Sequence, residues 1–189
     1  KLCQIIKNFQ PERFLVSLVT NGSLLTEEKI KKLQQSGLDT LQLSVDSFYP
    51  EVHDKLRKAP GSHKHLMDCL QLAKKHQLNV CISTVLTRYN FDDIQKLSEL
   101  VKREGQFILL NPISSSGALR GNEDPKLKQE DLKRYFQLLN QKHARADTVL
   151  NFTGRSECPA GKERIEISAY GEVMTCPHVQ VSYGNVLKE

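Results

Sequence analysis

Between Leu2 and Pro112 four amphipathic segments alternate with four short apolar runs. That alternation constrains the fold more tightly than any composition figure. A strand that hands the chain to a helix and receives it back in the same direction needs a crossover, and crossovers of this kind build parallel sheets with right-handed connections. The segments are read as follows. Leu2, Ile5, Ile6 and Phe9 recur at helical spacing and are closed by Gln10-Pro11. FLVSLVTNG (14–22) is nearly continuous in apolar residues and predicts a strand buried on both faces. Thr26 is placed to cap a helix with Glu27 and Glu28 in its first turn, Ile30 and Leu33 inward and Gly37 at its end.

TLQLSVD (40–46) predicts a second strand, and HKHLMDCLQLAKKHQ (63–77) a helix with Leu66, Cys69, Leu70 and Ala73 on one face. NVCISTVL (79–86) follows as a strand. Asn90 is expected to cap a helix carrying Ile94, Leu97, Leu100 and Val101 as far as Gly105, and QFILLNP (106–112) is a fourth strand. A barrel, a partial barrel and an open doubly wound sheet all satisfy this order. Residues 113–125 read as a loop rich in serine and glycine, and about 126–143 as a further amphipathic helix with Leu132, Phe136 and Leu139. From Arg145 the chain changes to short strands, turns and cysteines. The expected organisation is an α/β region of parallel strands over 1–144 and a small β-hairpin subdomain over 145–189.

Composition removes several function classes. A net charge of +5 comes without an arginine-rich tract or a basic patch interleaved with aromatics, so nucleic acid is not indicated. No run of about 18 apolar residues offers a membrane span. Five cysteines without a close-set framework argue against a disulfide scaffold and for a reducing cytoplasm. Because the chain starts at Lys1, the absence of a leader decides nothing. No H-E-x-x-H, G-x-S-x-G or P-loop occurs. His63 and His65 fall on opposite sides of a helix start and do not suggest a metal pair, and the helix dipole accounts for Asp92-Asp93.

The second strand is the informative one. Leu41, Leu43 and Val45 share one face, while Gln42, Ser44 and Asp46 share the other. A polar strand face must meet water or a ligand. Thr20 and Asn21, Ser83 and Thr84, and Asn111 likewise end their strands, where ligands of parallel sheets bind. Ordinary strand-to-loop transitions would look the same, and both readings stand. In CPAGKERIEISAYGEVMTC (158–176), RIEIS alternates like a strand, Ala169 to Glu172 can turn, and VMT leads to Cys176. A hairpin would bring Cys158 and Cys176 together. A structural zinc or iron–sulfur site takes four ligands, and Cys3, Cys69 and Cys81 read as buried free cysteines of the other region. A shared metal, a disulfide and two free thiols all remain open.

Taken in order, LVTNG with its trailing LL, LQLSVDSFYPEVHDKLR and NPISSSGALRG resemble the partial barrel of the radical S-adenosylmethionine (SAM) enzymes. The cysteine hairpin, Cys-x12-Gly-x4-Cys, resembles the start of the SPASM or twitch auxiliary-cluster domain, and YGNV the Gly-Asn-hydrophobic stretch after it. The resemblance implies a partial TIM-like barrel and assigns roles. Thr20 and Asn21 would edge the SAM and substrate pocket. Ser44 would contact the methionine or ribose moiety of SAM, with Asp46 beside it. Arg57 would reach the SAM carboxylate, and the backbone around Leu110 would pack along the adenine. Cys158 and Cys176 would be iron–sulfur ligands.

The implied cofactors are SAM and a 4Fe-4S cluster. The implied partners are an external electron donor and a peptide, protein or cofactor-precursor substrate. The family's C-x3-C-x2-C triad and its GGEP strand do not occur in these 189 residues. The resemblance therefore implies a piece of a longer enzyme, unable to cleave SAM alone. A non-catalytic binding or scaffold module on a cluster-free partial barrel is the alternative. A phosphate-ester enzyme would need an anion-binding loop, for which SSSG (114–117) is a poor candidate.

Overall fold

The computed structural model describes residues 1–113, 124–146, 160–162, 165–176 and 181–188. The described residues fall into two compact units, one of residues 1–113 and 125–146, the other containing the hairpin. The first unit runs α1 (Leu2–Asn8), β1 (Ser17–Thr20), α2 (Glu27–Gln35), β2 (Thr40–Ser44), α3 (Pro50–Arg57), α4 (Ser62–Lys75), β3 (Asn79–Leu86), a 3-10 turn (Phe91–Asp93), α5 (Ile94–Arg103), β4 (Phe107–Pro112), α6 (Gln129–Leu139) and β5 (Ala144–Arg145).

All five strands pair in parallel, in the order β1-β2-β3-β4-β5. This order settles what the alternation alone left open. A doubly wound sheet reverses its strand order at a switch point and carries helices on both faces. Here every crossover steps one strand in the same direction, so right-handed connections put the helices on a single face. The result is a sector of a barrel. Register keeps the faces distinct: Thr20, Leu43, Ile82, Ile108 and Ala144 lie in one row across the sheet. Leu43, Ile82, Ile108 and Ala144 in that row, with Leu41, Val45 and Leu110, are buried beneath Ile30, Leu33, Leu66, Ala73, Leu97 and Val101 of the helices. On the other face Gln42, Ser44, Ser83 and Leu109 are only half-buried, and Val19 and Val85 are exposed.

Local signals acted largely as expected. Thr26 Oγ1 accepts the Lys29 N–H at 3.3 Å and starts α2. Gly37 has φ +89°, and a Cβ there would sit 2.4 Å from Pro11 Cγ, so only glycine lets the helix end this close to the preceding turn.

Five expectations need correction. Residues 14–22 do not form a strand buried on both faces: β1 has four residues at the sheet edge, and Leu15 and Val19 are 90% and 60% exposed. An apolar run reports burial only when a neighbour covers each face, and among the described residues β1 pairs only with β2. Asn90 does not cap a helix; the 3-10 turn intervenes and its side chain turns inward. The buried residues of α6 are Tyr135 and Leu138, not Leu132 and Phe136, because the Tyr135 hydroxyl donates to Leu110 O at 3.0 Å and fixes the helix rotation. Helix α3 was missed because Ser-Phe-Tyr-Pro reads as loop, although Pro50 suits a first helical turn. β5 was missed because two residues carry no periodicity.

In the second unit β6 (Glu166–Ile167) and β7 (Val173–Met174) pair antiparallel. Gly171, at φ +82°, turns the chain, and the Val186 N–H donates to Gly171 O at 2.9 Å. The Asn185 amide donates to Tyr170 O at 3.0 Å, so the Gly184-Asn185-Val186 stretch clasps the hairpin turn.

Candidate cofactor site at the strand ends

Past the end of β2 the chain stays in register with β3: the Val45 N–H donates to Ser83 O at 3.1 Å, and Thr84 Oγ1 donates to Val45 O at 2.6 Å. The next residue, Asp46, is the hub. Its N–H donates to His53 Nδ1 at 3.0 Å, and its carbonyl accepts from Asn90 Nδ2 at 2.6 Å. Oδ1 accepts the Val85 N–H at 3.1 Å, and Oδ2 lies 2.6 Å from Arg57 Nε. That last contact is an ion pair by proximity, since the Nε proton is not aligned on the carboxylate. The Asp46 side chain is 9% exposed and that of Arg57 31%, and the Arg57 Nε at the contact is itself buried.

The segment HDKLR supplies two of these restraints, through His53 and Arg57, and its Asp54 braces the neighbouring helix. His53 holds the Asp46 peptide. Asp54 accepts from the Gly61 N–H (2.5 Å), Ser62 Oγ (2.9 Å) and the His63 N–H (2.9 Å), which closes the start of α4. The bond from His63, with those from Gly61 and Ser62, holds the Asp54 carboxyl below its usual range. Arg57, one helical turn beyond His53, meets Asp46. Beneath them Ser47 Oγ donates to Asp93 Oδ2 and accepts the Tyr49 N–H at 2.9 Å, and burial pushes the Asp93 carboxyl up. The His53 and His63 rings meet edge-on with centroids 5.5 Å apart, and burial pushes both below the ordinary histidine range.

The proposed site residues are distributed as follows. Ser44 lies on the open face opposite Ser83, and neither hydroxyl has a hydrogen-bond partner among the described residues. Asp46 and Arg57 are brought together. Thr20 and Asn21 lie one strand away and shape the turn after β1: Thr20 Oγ1 accepts the Gly22 N–H at 3.1 Å, and Asn21 Oδ1 accepts from Ser23 N (3.2 Å) and Oγ (3.0 Å). Gly22 is obligatory there, with φ +74° and a Cβ position 2.5 Å from Leu66 Cδ2. Leu110 is fully buried on the helix side, and its carbonyl accepts from the Tyr135 hydroxyl.

Cys158 lies outside the described residues, and Cys176 is half-buried and free. Cys69 and Cys81 are buried free thiols, whereas Cys3 is half-buried. No group of three or more His, Cys, Asp or Glu among the described residues could hold a metal. The residues present thus suit an amino-acid-like ligand, with a part-exposed cation near an open polar row. They do not supply the thiolate set of an iron–sulfur cluster. Sequence reasoning missed His53, Asp54 and Asn90. The signal available for the first two was a His-Asp pair three residues before the expected ligand-binding arginine.

The chain belongs to the radical SAM superfamily, whose sequence model matches residues 1–101, more than half of its length. It is 24% identical over 207 residues to the AdoMet-dependent heme synthase of Methanosarcina barkeri, covering 92% of this chain and 58% of that protein. It is 28% identical over 193 residues to the mycofactocin maturase MftC of Mycolicibacterium smegmatis, covering 92% of this chain and 48% of the relative. The chain therefore spans about half the length of these curated relatives. Among solved structures, Streptococcus suis SuiB bound to the precursor peptide SuiA superposes with a TM-score of 0.78 at 13% identity, over 99% of this chain and 48% of that one. This likeness establishes the partial TIM-like fold. Among the described residues no helix is long and apolar enough to cross a membrane.

Proposed function

We propose that this chain forms the SAM-binding part of a radical SAM enzyme acting on a peptide, protein or cofactor precursor. The Asp46–Arg57 pair two residues from Ser44, whose hydroxyl has no hydrogen-bond partner among the described residues, carries this reading. Bound SAM supplies radical hydrogen-abstraction chemistry when a reduced 4Fe-4S cluster and an external electron donor serve it. The chain's own residues bind and orient. Arg57 offers its guanidinium to the SAM carboxylate, the geometry in which a forked cation outperforms a point charge. Asp46 keeps that guanidinium at the strand ends. Ser44 faces the methionine or ribose moiety, Thr20 and Asn21 edge the pocket, and the backbone at Leu110 lies along the adenine.

The relatives' names support the substrate class: one is an AdoMet-dependent heme synthase, one a maturase, and SuiB was crystallised with a precursor peptide. In this reading residues 1–144 are the barrel part and residues 145–189 begin an auxiliary-cluster domain, with Cys158 and Cys176 among its ligands. Because the C-x3-C-x2-C triad does not occur in these 189 residues, the chain in this reading binds SAM without cleaving it. Equilibrium dialysis with labelled SAM tests this. R57A should weaken binding about tenfold or more, and R57K should recover part of it, since a charged hydrogen bond contributes roughly 1.5–3 kcal/mol. Unchanged binding by R57A would refute the assignment, and 5′-deoxyadenosine from the purified chain would refute its inactivity.

A further inference from the structure

His53 is fully buried, among the largest side chains sealed from solvent. Its Nδ1 accepts the Asp46 N–H, so the ring must be neutral with its proton on Nε2. That Nε2 is itself buried without a partner, as is Nε2 of His63 in the neighbouring ring. The tautomer excludes a metal between the two rings, because a His53 that accepts at Nδ1 keeps its Nε2 proton. A leucine would fill the same space without an unpaired polar atom, and burying one costs free energy. The imidazole is therefore accounted for by what it holds.

What it holds is the peptide of Asp46, whose carboxylate in turn holds Arg57. Protonation would set an N–H of the ring against the N–H of Asp46 and turn that peptide away. The ionisable groups around the ring are Asp46 from the end of β2, Arg57 and Asp54 from its own helix α3, and His63 from α4. Asp46 and Asp54 favour the cation. Burial, the largest influence, opposes it together with His63 and Arg57.

Building on the SAM-binding reading above, we propose that His53 is a positioning residue for the SAM carboxylate. As a neutral acceptor it fixes the Asp46–Arg57 pair, and its protonation releases that pair, so SAM affinity falls on acidification.

The test is SAM binding by calorimetry between pH 7.5 and 5 for the wild type, H53N and H53L, each checked for cooperative unfolding. In H53N the new amide oxygen reaches the acceptor position but does not titrate. Titrations of SAM itself are common to all three proteins and cancel in the comparison. H53N is expected to bind within about threefold of wild type at pH 7.5 and to lack the acid loss shown by the wild type. H53L is expected to bind roughly tenfold more weakly at pH 7.5, the consequence of leaving the Asp46 N–H unpaired. An acid loss in H53N equal to that of wild type, or wild-type affinity in H53L, overturns the proposal. If H53L fails to fold, the H53N comparison decides alone.

A wild type that binds no SAM at any pH refutes the functional reading instead. Imidazole and amide NMR without ligand then tests the positioning role. Support is an Nε2–H tautomer whose titration moves the Asp46 amide signal; an uncoupled amide overturns it.

Discussion

Asn90 separates two accounts of the same residue by magnitude. As a helix cap its loss would cost about 1 kcal/mol. In the structure its amide instead joins three parts of the site. Nδ2 donates to Asp46 O at 2.6 Å and Val85 O at 2.9 Å, while Oδ1 accepts from Thr87 N at 2.8 Å and Thr87 Oγ1 at 3.0 Å. The residue is 2% exposed, so water does not replace these bonds. N90A leaves the Thr87 N–H without its acceptor and two carbonyls short of a donor, at about 1–3 kcal/mol for each group that finds no substitute. Partial relaxation brings the expected loss to roughly 3 kcal/mol. N90D should cost more, because it replaces a donor facing two carbonyls with an oxygen. Urea unfolding followed by far-UV circular dichroism reads both variants, with the slope m unchanged if only stability moves. A loss near 1 kcal/mol for N90A, or N90D as stable as N90A, would refute the inward network.

Three further outcomes follow from the structure. G171A should unlock the hairpin of the second unit, since a Cβ there lies 2.6 Å from Leu187 Cγ and 2.7 Å from Asn185 Oδ1 at a positive φ; limited proteolysis that leaves the segment after Arg164 as resistant as in the parent would contradict this. Burial depresses His53 and His63, so below about pH 6.5 the unfolded chain binds more protons than the native one. Their contribution is complete above that pH and lost as pH falls toward the folded values. The urea midpoint should therefore drop between pH 7.5 and 5.5, before carboxylates with ordinary values near 4 take part, and a flat midpoint there counts against it. Iodoacetamide at pH 8 should label Cys3 and Cys176 ahead of Cys69 and Cys81, because burial pushes the Cys69 thiol up and that of Cys81 to about 11. Peptide mass spectrometry showing Cys81 modified first would overturn that order.

Whatever depends on neighbours within a few residues was legible in the sequence. Strands 40–44 and 79–86, the Thr26 cap, the helix ending at Gly37 and the 166–174 hairpin follow from periodicity, capping chemistry and turn residues, which act locally. The polar face of β2 was legible for the same reason, since strand period alone separates Ser44 from Leu43. Contacts between distant segments were not. Nothing local to Asn90 says that its amide reaches Asp46, 44 positions away, instead of the first turn of a helix. Nothing local to Tyr135 says that its hydroxyl, 25 positions from Leu110, sets the rotation of α6.

The sequence by itself determined the alternation of strands and helices, the family resemblance and the residues that could face a ligand. Tertiary structure decided that the strands lie in sequential order as a barrel sector, that β1 pairs only with β2 among the described residues, and that Asp46 is held from four directions. The physical reason is range: propensity and periodicity are properties of a short stretch of chain. Strand order, burial and hydrogen-bond closure exist only once segments tens of residues apart have been brought into contact.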